Sequence, residues 1–167
     1  ARSALGFAIG TLPLWFSQQA WLVNVTPVGY PLLAFYMAFW SGLCVWAIAR
    51  VRRVWPRVPL VVGGPLAWMA VEVLRGEEVL RGYGWFHLAH PLIAAPMLAF
   101  PAGVLGTYFV SFLAGAVVGA IVDIVHAVRQ QPRPRGMLLW SVARLVAVLL
   151  TWAVTAVLGW GGMPSNV

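Results

Sequence analysis

The chain has 167 residues, of which 62% are hydrophobic and only 9% are charged, whereas an average soluble domain is about 45–50% apolar and about 25% charged. With a mean hydropathy of +0.86, this composition excludes a soluble enzyme domain, a disordered tail and a nucleic-acid-binding module, and it indicates a membrane protein. The net charge of +7 comes from eleven basic residues and four acidic ones. Most of the basic residues lie on one side of the membrane in the topology predicted below.

Five segments have the length and composition of membrane spans. A bilayer core about 30 Å thick needs roughly 20 apolar residues in a helix. The segments that satisfy this are residues 4–25, 31–49, 58–74, 102–128 and 137–160. We therefore predict an all-α fold: a polytopic integral membrane helical bundle of about five transmembrane helices, in a single membrane domain over residues 1–167.

The connection between the third and fourth spans, residues 75–101, is unusual. It is too apolar for a solvated loop, and it has too many glycines and prolines for a regular span. Non-helical backbone at membrane depth is tolerated only against protein or water. We predict a re-entrant or interface-lying outer loop here.

Arginine placement predicts the orientation of the spans. Eight of the eleven arginines lie on alternate connections, which is one side of an antiparallel five-span bundle, and arginine-rich loops mark the cytoplasmic side. The N-terminus is then cytoplasmic, while the outer loop and the C-terminus lie outside. The eight are Arg2, Arg50, Arg52, Arg53, Arg57, Arg129, Arg133 and Arg135.

Charged residues inside spans are costly and need partners. Asp123 and Arg144 lie at similar predicted depths on adjacent spans, so we predict a structural ion pair, with snorkelling of Arg144 as the alternative. Glu72 and Arg75 share a helical face, which indicates either a structural pair or a functional site. Two pairs of glycines at a spacing of four predict close helix packing: Gly6 with Gly10, and Gly115 with Gly119.

The outer loop is rich in aromatic residues and histidines. An interfacial aromatic belt would explain the Trp and Tyr residues, but it would explain neither two histidines among them nor the flanking glycines. We predict a lipid- or substrate-facing surface. Its candidate residues are Glu72, Arg75, Tyr83, Trp85, Phe86, His87, His90 and Tyr108. His87 and His90 lack a third ligand, so no metal site is expected, and Cys44 is predicted to be an inert core residue.

Several motifs resemble the membrane domain of bacterial apolipoprotein N-acyltransferases. The third span and the outer loop resemble that family's E-x-L-R-G motif followed by G-F-P-W and L-G-[YH], and the fourth span resembles G-x-Y-[GL]-[VL]-S-F-L. The matching residues are Glu72, Leu74, Arg75, Gly76, Gly82, Tyr83, Gly84, Trp85, Leu88, Ala89, His90, Gly106, Tyr108, Val110, Ser111, Phe112 and Leu113. The sequence departs from the pattern at Tyr83, where the family has Phe, and at Gly84, where it has Pro.

The resemblance implies a role in lipoprotein maturation at the bacterial inner membrane. Its substrates would be a phospholipid acyl donor and a diacylglyceryl lipoprotein acceptor, with no cofactor and no nucleic acid. Family members carry a C-terminal nitrilase-like domain with a Glu-Lys-Cys triad. This chain contains no lysine, so we expect it to be an inactive part of a longer enzyme that anchors the enzyme and presents acyl chains. Alternatives are a fragment of a small transporter or permease and a non-catalytic membrane scaffold.

Overall fold

The computed structural model describes residues 2–79, 82–130 and 136–161, and within these ranges the chain is helical without any strand. Shorter helical turns separate the main elements: 3₁₀ turns at Ala20–Asn24 and His90–Ala94, and a π-helical turn at Leu74–Glu78. The α-helices are α1 (Arg2–Gln18), α2 (Gly29–Val54), α3 (Leu60–Val73), α4 (Pro96–Ala99), α5 (Ala102–Leu105), α6 (Thr107–Arg129) and α7 (Met137–Gly161).

Within the described ranges, three helices are long and apolar enough to cross a membrane: α2, α6 and α7. Helix α1 has 17 residues and α3 has 14, so the predicted count of about five spans is not confirmed. Large apolar side chains on α7 face outward, with Leu139 73% and Val157 69% exposed. This pattern suits a lipid environment, because a soluble helix would bury such residues.

Several predicted boundaries differ from the structure. The predicted first span, residues 4–25, is an α-helix only as far as Gln18, and a 3₁₀ turn follows it. Two other differences have local reasons. Helix α2 continues past the predicted end at residue 49 to Val54. The next helix breaker is Pro56, and the residue before a proline disfavours the helical conformation, so the helix ends before Trp55. The predicted fourth span is split at Gly106, which has a φ of +81°. That left-handed conformation favours glycine and separates α5 from α6.

The bundle is built from neighbouring helix pairs in chain order: α1 packs on α2, α2 on α3, α3 on α6 and α6 on α7. Helices α3 and α6 approach each other closely at Gly119, where an added Cβ atom would lie 2.7 Å from the carbonyl carbon of Leu60. A Cβ on Gly115 would lie 3.0 Å from the Pro65 side chain. The predicted packing role therefore applies to the second glycine pair, whereas Gly6 and Gly10 face open space.

The Asp123 carboxylate caps helix α3. The backbone N–H of Leu60 donates to Oδ1 over 3.3 Å, and the N–H of Val61 donates to Oδ2 over 3.2 Å. A carboxylate at a helix N-terminus satisfies orphan donors and opposes the positive end of the helix dipole. Arg144 lines the same small cavity as Asp123, and the ion pair between them stays a prediction.

Replacing Asp123 by Ala should lower the free energy of unfolding by about 0.5–2 kcal/mol, because the first turn of α3 loses its capping carboxylate. Unfolding by SDS in mixed micelles measures the change. Arg129→Ala is the control. Arg129 lies at the exposed end of α6, the helix that carries Asp123, and its replacement should have little effect. A loss for Asp123→Ala no larger than the control's would contradict the capping role.

The predicted outer loop contains no long helix in its described part. After the π-helical turn, residues 82–89 lack regular structure, and short helical turns follow up to Gly106. The loop rests on protein: the Trp152 indole N–H donates to the Leu98 carbonyl over 3.0 Å, and the Ala89 N–H donates to the Ser111 hydroxyl over 3.1 Å. Irregular backbone in an apolar setting requires such shielding.

Candidate functional site

A cavity of about 600 Å³ lies between α1, α2, the end of α3 and residues 86–91 of the outer loop. Most of its wall is apolar, and its polar groups come mainly from α3, the π-helical turn and the outer loop. Small-molecule sites commonly have this size and this combination of an apolar body with a few polar groups. The apolar wall includes Phe7, Leu14, Trp15, Met37, Trp40, Val71 and Leu88.

One face of α2 forms a wall of the cavity. Met37, Trp40, Ser41 and Cys44 line it, and their spacing of three, four and seven residues places them on one side of the helix. The Ser41 hydroxyl accepts a hydrogen bond from the Trp15 indole N–H over 3.0 Å and donates to the Met37 carbonyl over 2.9 Å. This contact fixes α1 against α2 beside the cavity.

Glu72 joins helix α3 to the outer loop. Its carboxylate is 4% exposed, and Oε1 accepts from the Trp68 indole N–H over 2.9 Å and from the Leu88 backbone N–H over 2.6 Å. Its second oxygen, Oε2, is buried without a hydrogen-bond partner among the described residues. A buried carboxylate oxygen needs a donor, so the cavity offers an acceptor to a ligand.

Arg75 also holds the loop. Its guanidinium donates to the Phe86 carbonyl over 3.2 Å and to the Met37 sulfur over 3.3 Å, and the residue is 4% exposed. Phe86 has a φ of +59°, a left-handed conformation that costs a non-glycine residue roughly 1–2 kcal/mol. The Arg75 contact and an edge-on contact with Trp15, at 5.7 Å between ring centroids, offset that strain.

The two histidines lie at the loop end of the cavity. The His87 ring stacks on His90 at 5.0 Å and on Tyr108 at 4.9 Å. The Tyr108 hydroxyl donates to Glu77 Oε1 over 2.7 Å. Both ring nitrogens of His87 are buried without a hydrogen-bond partner in the described part of the chain. Neutral imidazole offers one donor and one acceptor, so His87 can donate a hydrogen bond to a ligand or accept one from it.

Burial lowers the pKa of both His87 and His90 below the ordinary histidine value, and the nearby Arg75 guanidinium acts in the same direction, while the Glu72 carboxylate opposes it. Burial disfavours the charged imidazolium because the site lacks the solvation of bulk water. Both rings are therefore neutral at pH 7.

The fold should lose stability as the pH falls below about 6.5, the value at which a histidine of the unfolded chain takes up a proton. The folded histidines bind that proton only at lower pH, so acid favours the unfolded state and stability is complete above that range. Thermal unfolding in detergent at pH 7.5 and pH 5 measures this loss. His87→Gln should reduce this loss of stability, because it removes one of the two groups whose pKa is lowered by burial. A loss that is unchanged in His87→Gln would contradict the assignment.

The structure brings most of the predicted site residues together. Glu72, Arg75, Phe86, His87 and His90 all line the cavity, and Tyr108 contacts it through its stack on His87. Two predicted residues lie elsewhere. Tyr83 packs edge-on against Tyr36 at 6.1 Å between ring centroids. Trp85 is 68% exposed, and its lipid-facing role stays a prediction.

Sequence reasoning missed the α1 and α2 walls of the cavity. Ser41 was a signal, since it lies on one helical face with Met37, Trp40 and Cys44. Cys44 is buried, as predicted, but it lines the cavity instead of a closed core. A polar residue on an apolar helical stripe is consistent with a cavity, but that pattern alone does not reveal which helix lies opposite.

One comparison with known proteins identifies a family. Residues 1–121 of the 167 match the family model described as the apolipoprotein N-acyltransferase N-terminal domain. The matched range contains α1 to α5, the outer loop and about the first two thirds of α6, and so includes every residue that lines the cavity. No solved structure matches the chain.

Proposed function

The chain belongs to the family of apolipoprotein N-acyltransferase N-terminal domains, and we propose that its 600 Å³ cavity holds a fatty acyl chain of a lipid substrate and positions the polar end of that lipid for acyl transfer. The observation that carries the proposal is the composition of the cavity: an apolar body with its charged and titratable groups gathered at the loop end. A lipid has the same division into an apolar chain and a polar head.

The polar groups at the loop end of the cavity determine which lipid it binds. An acyl chain that moves from the bilayer into an apolar cavity gains little hydrophobic free energy, because lipid tails are already apolar. Binding therefore depends on the groups at the loop end. Arg75 uses two of its five N–H donors in the contacts described above, and Glu72 and His87 contribute buried atoms that have no partner among the residues the structure describes. These groups suit an ester carbonyl, a phosphate or an ammonium of a lipid head.

The chemical step belongs to a domain that this sequence does not contain. Family resemblance implies a Glu-Lys-Cys triad on a nitrilase-like domain, whereas this chain has no lysine and its one cysteine is buried. Covalent transfer through a thioester needs an activated thiolate and a base. The role of this chain is then to anchor the enzyme and to present the phospholipid donor, the diacylglyceryl acceptor, or each in turn.

The proposed topology places the cavity near the outer face of the bacterial inner membrane. Helices α1 and α3 complete a five-span bundle with the three longer helices, which puts the N-terminus in the cytoplasm and the C-terminus outside. Support comes from the arginines. Arg2, Arg52 and Arg129 lie at helix ends opposite the outer loop, and Arg57 lies in the connection between α2 and α3 on the same side. Such clustering is typical of the cytoplasmic side.

Photolabelling tests the proposal. The chain is reconstituted with a phospholipid that carries a diazirine near the end of one acyl chain, and the cross-linked residues are mapped by mass spectrometry. We expect labels on cavity residues such as Met37 and Trp40. Cys44→Phe places a bulky ring in the cavity and should reduce those labels about tenfold, which corresponds to about 1.4 kcal/mol of binding free energy.

Cys44→Ala is the matched control, because it removes the same thiol but leaves the cavity open. It should keep the labelling pattern of the unchanged chain. Labels spread only over exposed residues of α7, or cavity labels that persist at full strength in Cys44→Phe, would refute the proposed acyl site.

A further inference from the structure

A second cavity, of about 240 Å³, lies at the opposite end of the bundle from the acyl cavity. It is formed where α2 ends, α3 begins, α6 ends and α7 begins, so it depends on the tertiary packing of four helices. Its charged and polar lining consists of Arg52, Arg57, Asp123, His126, Ser141 and Arg144.

The charges of this second cavity are unbalanced. Among the described residues that line it, three are arginines and one is a carboxylate, and both oxygens of Asp123 already accept hydrogen bonds from the first turn of α3. The arginines come from three places: Arg52 from the last turn of α2, Arg57 from the connection to α3, and Arg144 from α7. A topology signal requires arginines only on one side of the membrane. A topology signal therefore does not explain why these three arginines line the same cavity.

Apolar groups adjoin the charged lining. The rest of the wall is apolar and is formed by Pro56, Val58, Pro59, Leu60 and Met137. The neighbouring surface of α7 exposes Leu138 and Leu139. A ligand seated here would thus meet cationic groups at its head and apolar surface beside it.

We propose that this cavity binds a phosphate group. The ligand we expect is the headgroup phosphate of an anionic phospholipid at the membrane surface opposite the acyl cavity. Arginine presents a planar fork of N–H donors that matches phosphate oxygens. The apolar wall and the outer side of α7 accept the glycerol and the first part of the acyl chains. Inorganic phosphate shares the headgroup's chemistry and is the second source that the experiment must distinguish.

Native mass spectrometry of the full 167-residue chain, purified from mixed vesicles of phosphatidylglycerol and phosphatidylcholine, tests the site. We expect one phosphatidylglycerol to be retained in preference to phosphatidylcholine. Arg144→Gln and, independently, Arg57→Gln should each reduce that retention about fivefold, which corresponds to about 1 kcal/mol for each arginine near an anionic lipid. Two variants on different elements keep the test valid if one of them fails to fold.

Arg53→Gln is the matched control, because it removes the same charge from a position next to Arg52 in the last turn of α2 but does not line the cavity. It should retain the lipid. Loss of retention equal to that of Arg144→Gln, or no preference for the anionic lipid in the unchanged chain, would overturn the proposal in favour of a diffuse basic surface.

A titration with inorganic phosphate separates the two sources. Failure of millimolar phosphate to displace the retained lipid supports the lipid headgroup as the ligand. Displacement that is lost in Arg144→Gln supports the same phosphate site with free phosphate as a competing ligand. Displacement that is equal in Arg144→Gln and Arg53→Gln is an ionic-strength effect and counts against the site.

Discussion

Replacing Arg75 by Met should destabilise the fold by about 3–5 kcal/mol, because the buried Glu72 carboxylate nearby is then left without a compensating charge. Arg75 and Glu72 are each 4% exposed and line the same cavity. Methionine keeps most of the side-chain length but loses the hydrogen bond to the Phe86 carbonyl, so the left-handed turn at Phe86 also loses a partner. SDS unfolding in mixed micelles measures the loss.

The double variant Glu72→Gln with Arg75→Met distinguishes a charge effect from a packing effect. If the uncompensated Glu72 carboxylate causes the loss, the double variant should be less destabilised than the sum of the two single variants, because no buried charge remains. Arg53→Met, on the exposed end of α2, is the control and should change stability little. A loss of less than about 1 kcal/mol for Arg75→Met would contradict the buried-charge argument.

Replacing Gly119 by Ala should destabilise the bundle by about 1–3 kcal/mol, the usual cost of overpacking a tight contact. The added Cβ would lie 2.7 Å from the carbonyl carbon of Leu60 and 2.9 Å from the nitrogen of Val61. These are backbone atoms, so α3 and α6 must separate. The Asp123 cap on α3 depends on the same approach and should weaken with it.

Gly10→Ala is the matched control for Gly119→Ala, since both change a helical glycine in a pattern of the same spacing. No atom lies within 4 Å of the Cβ position at Gly10. The substitution should therefore leave stability unchanged or raise it by roughly 0.5–1 kcal/mol, the usual preference for Ala over Gly within a helix. Equal losses for the two variants, in the same SDS unfolding measurement, would refute the assignment of the close contact to Gly119.

The sequence by itself determined the helical fold class, the family resemblance and much of the polar end of the candidate site. These follow from local signals. Long apolar runs form helices because a backbone in lipid must satisfy its own hydrogen bonds. Likewise, the loop motif around Glu72, Arg75, Phe86, His87 and His90 is contiguous enough to be recognised in the chain. The family match over residues 1–121 confirmed the resemblance.

Only the tertiary structure decided which residues are hydrogen-bond or packing partners of one another. Asp123 has Leu60 and Val61 as hydrogen-bond partners some sixty positions earlier in the chain, and Ser111 holds Ala89 of the outer loop. Only one of two similar glycine pairs forms a close helix contact. In an apolar chain every helix face is hydrophobic, so hydropathy does not distinguish a lipid-facing side from a buried one. The cavity exists because α1, α2 and the outer loop converge, and that convergence depends on packing between distant segments.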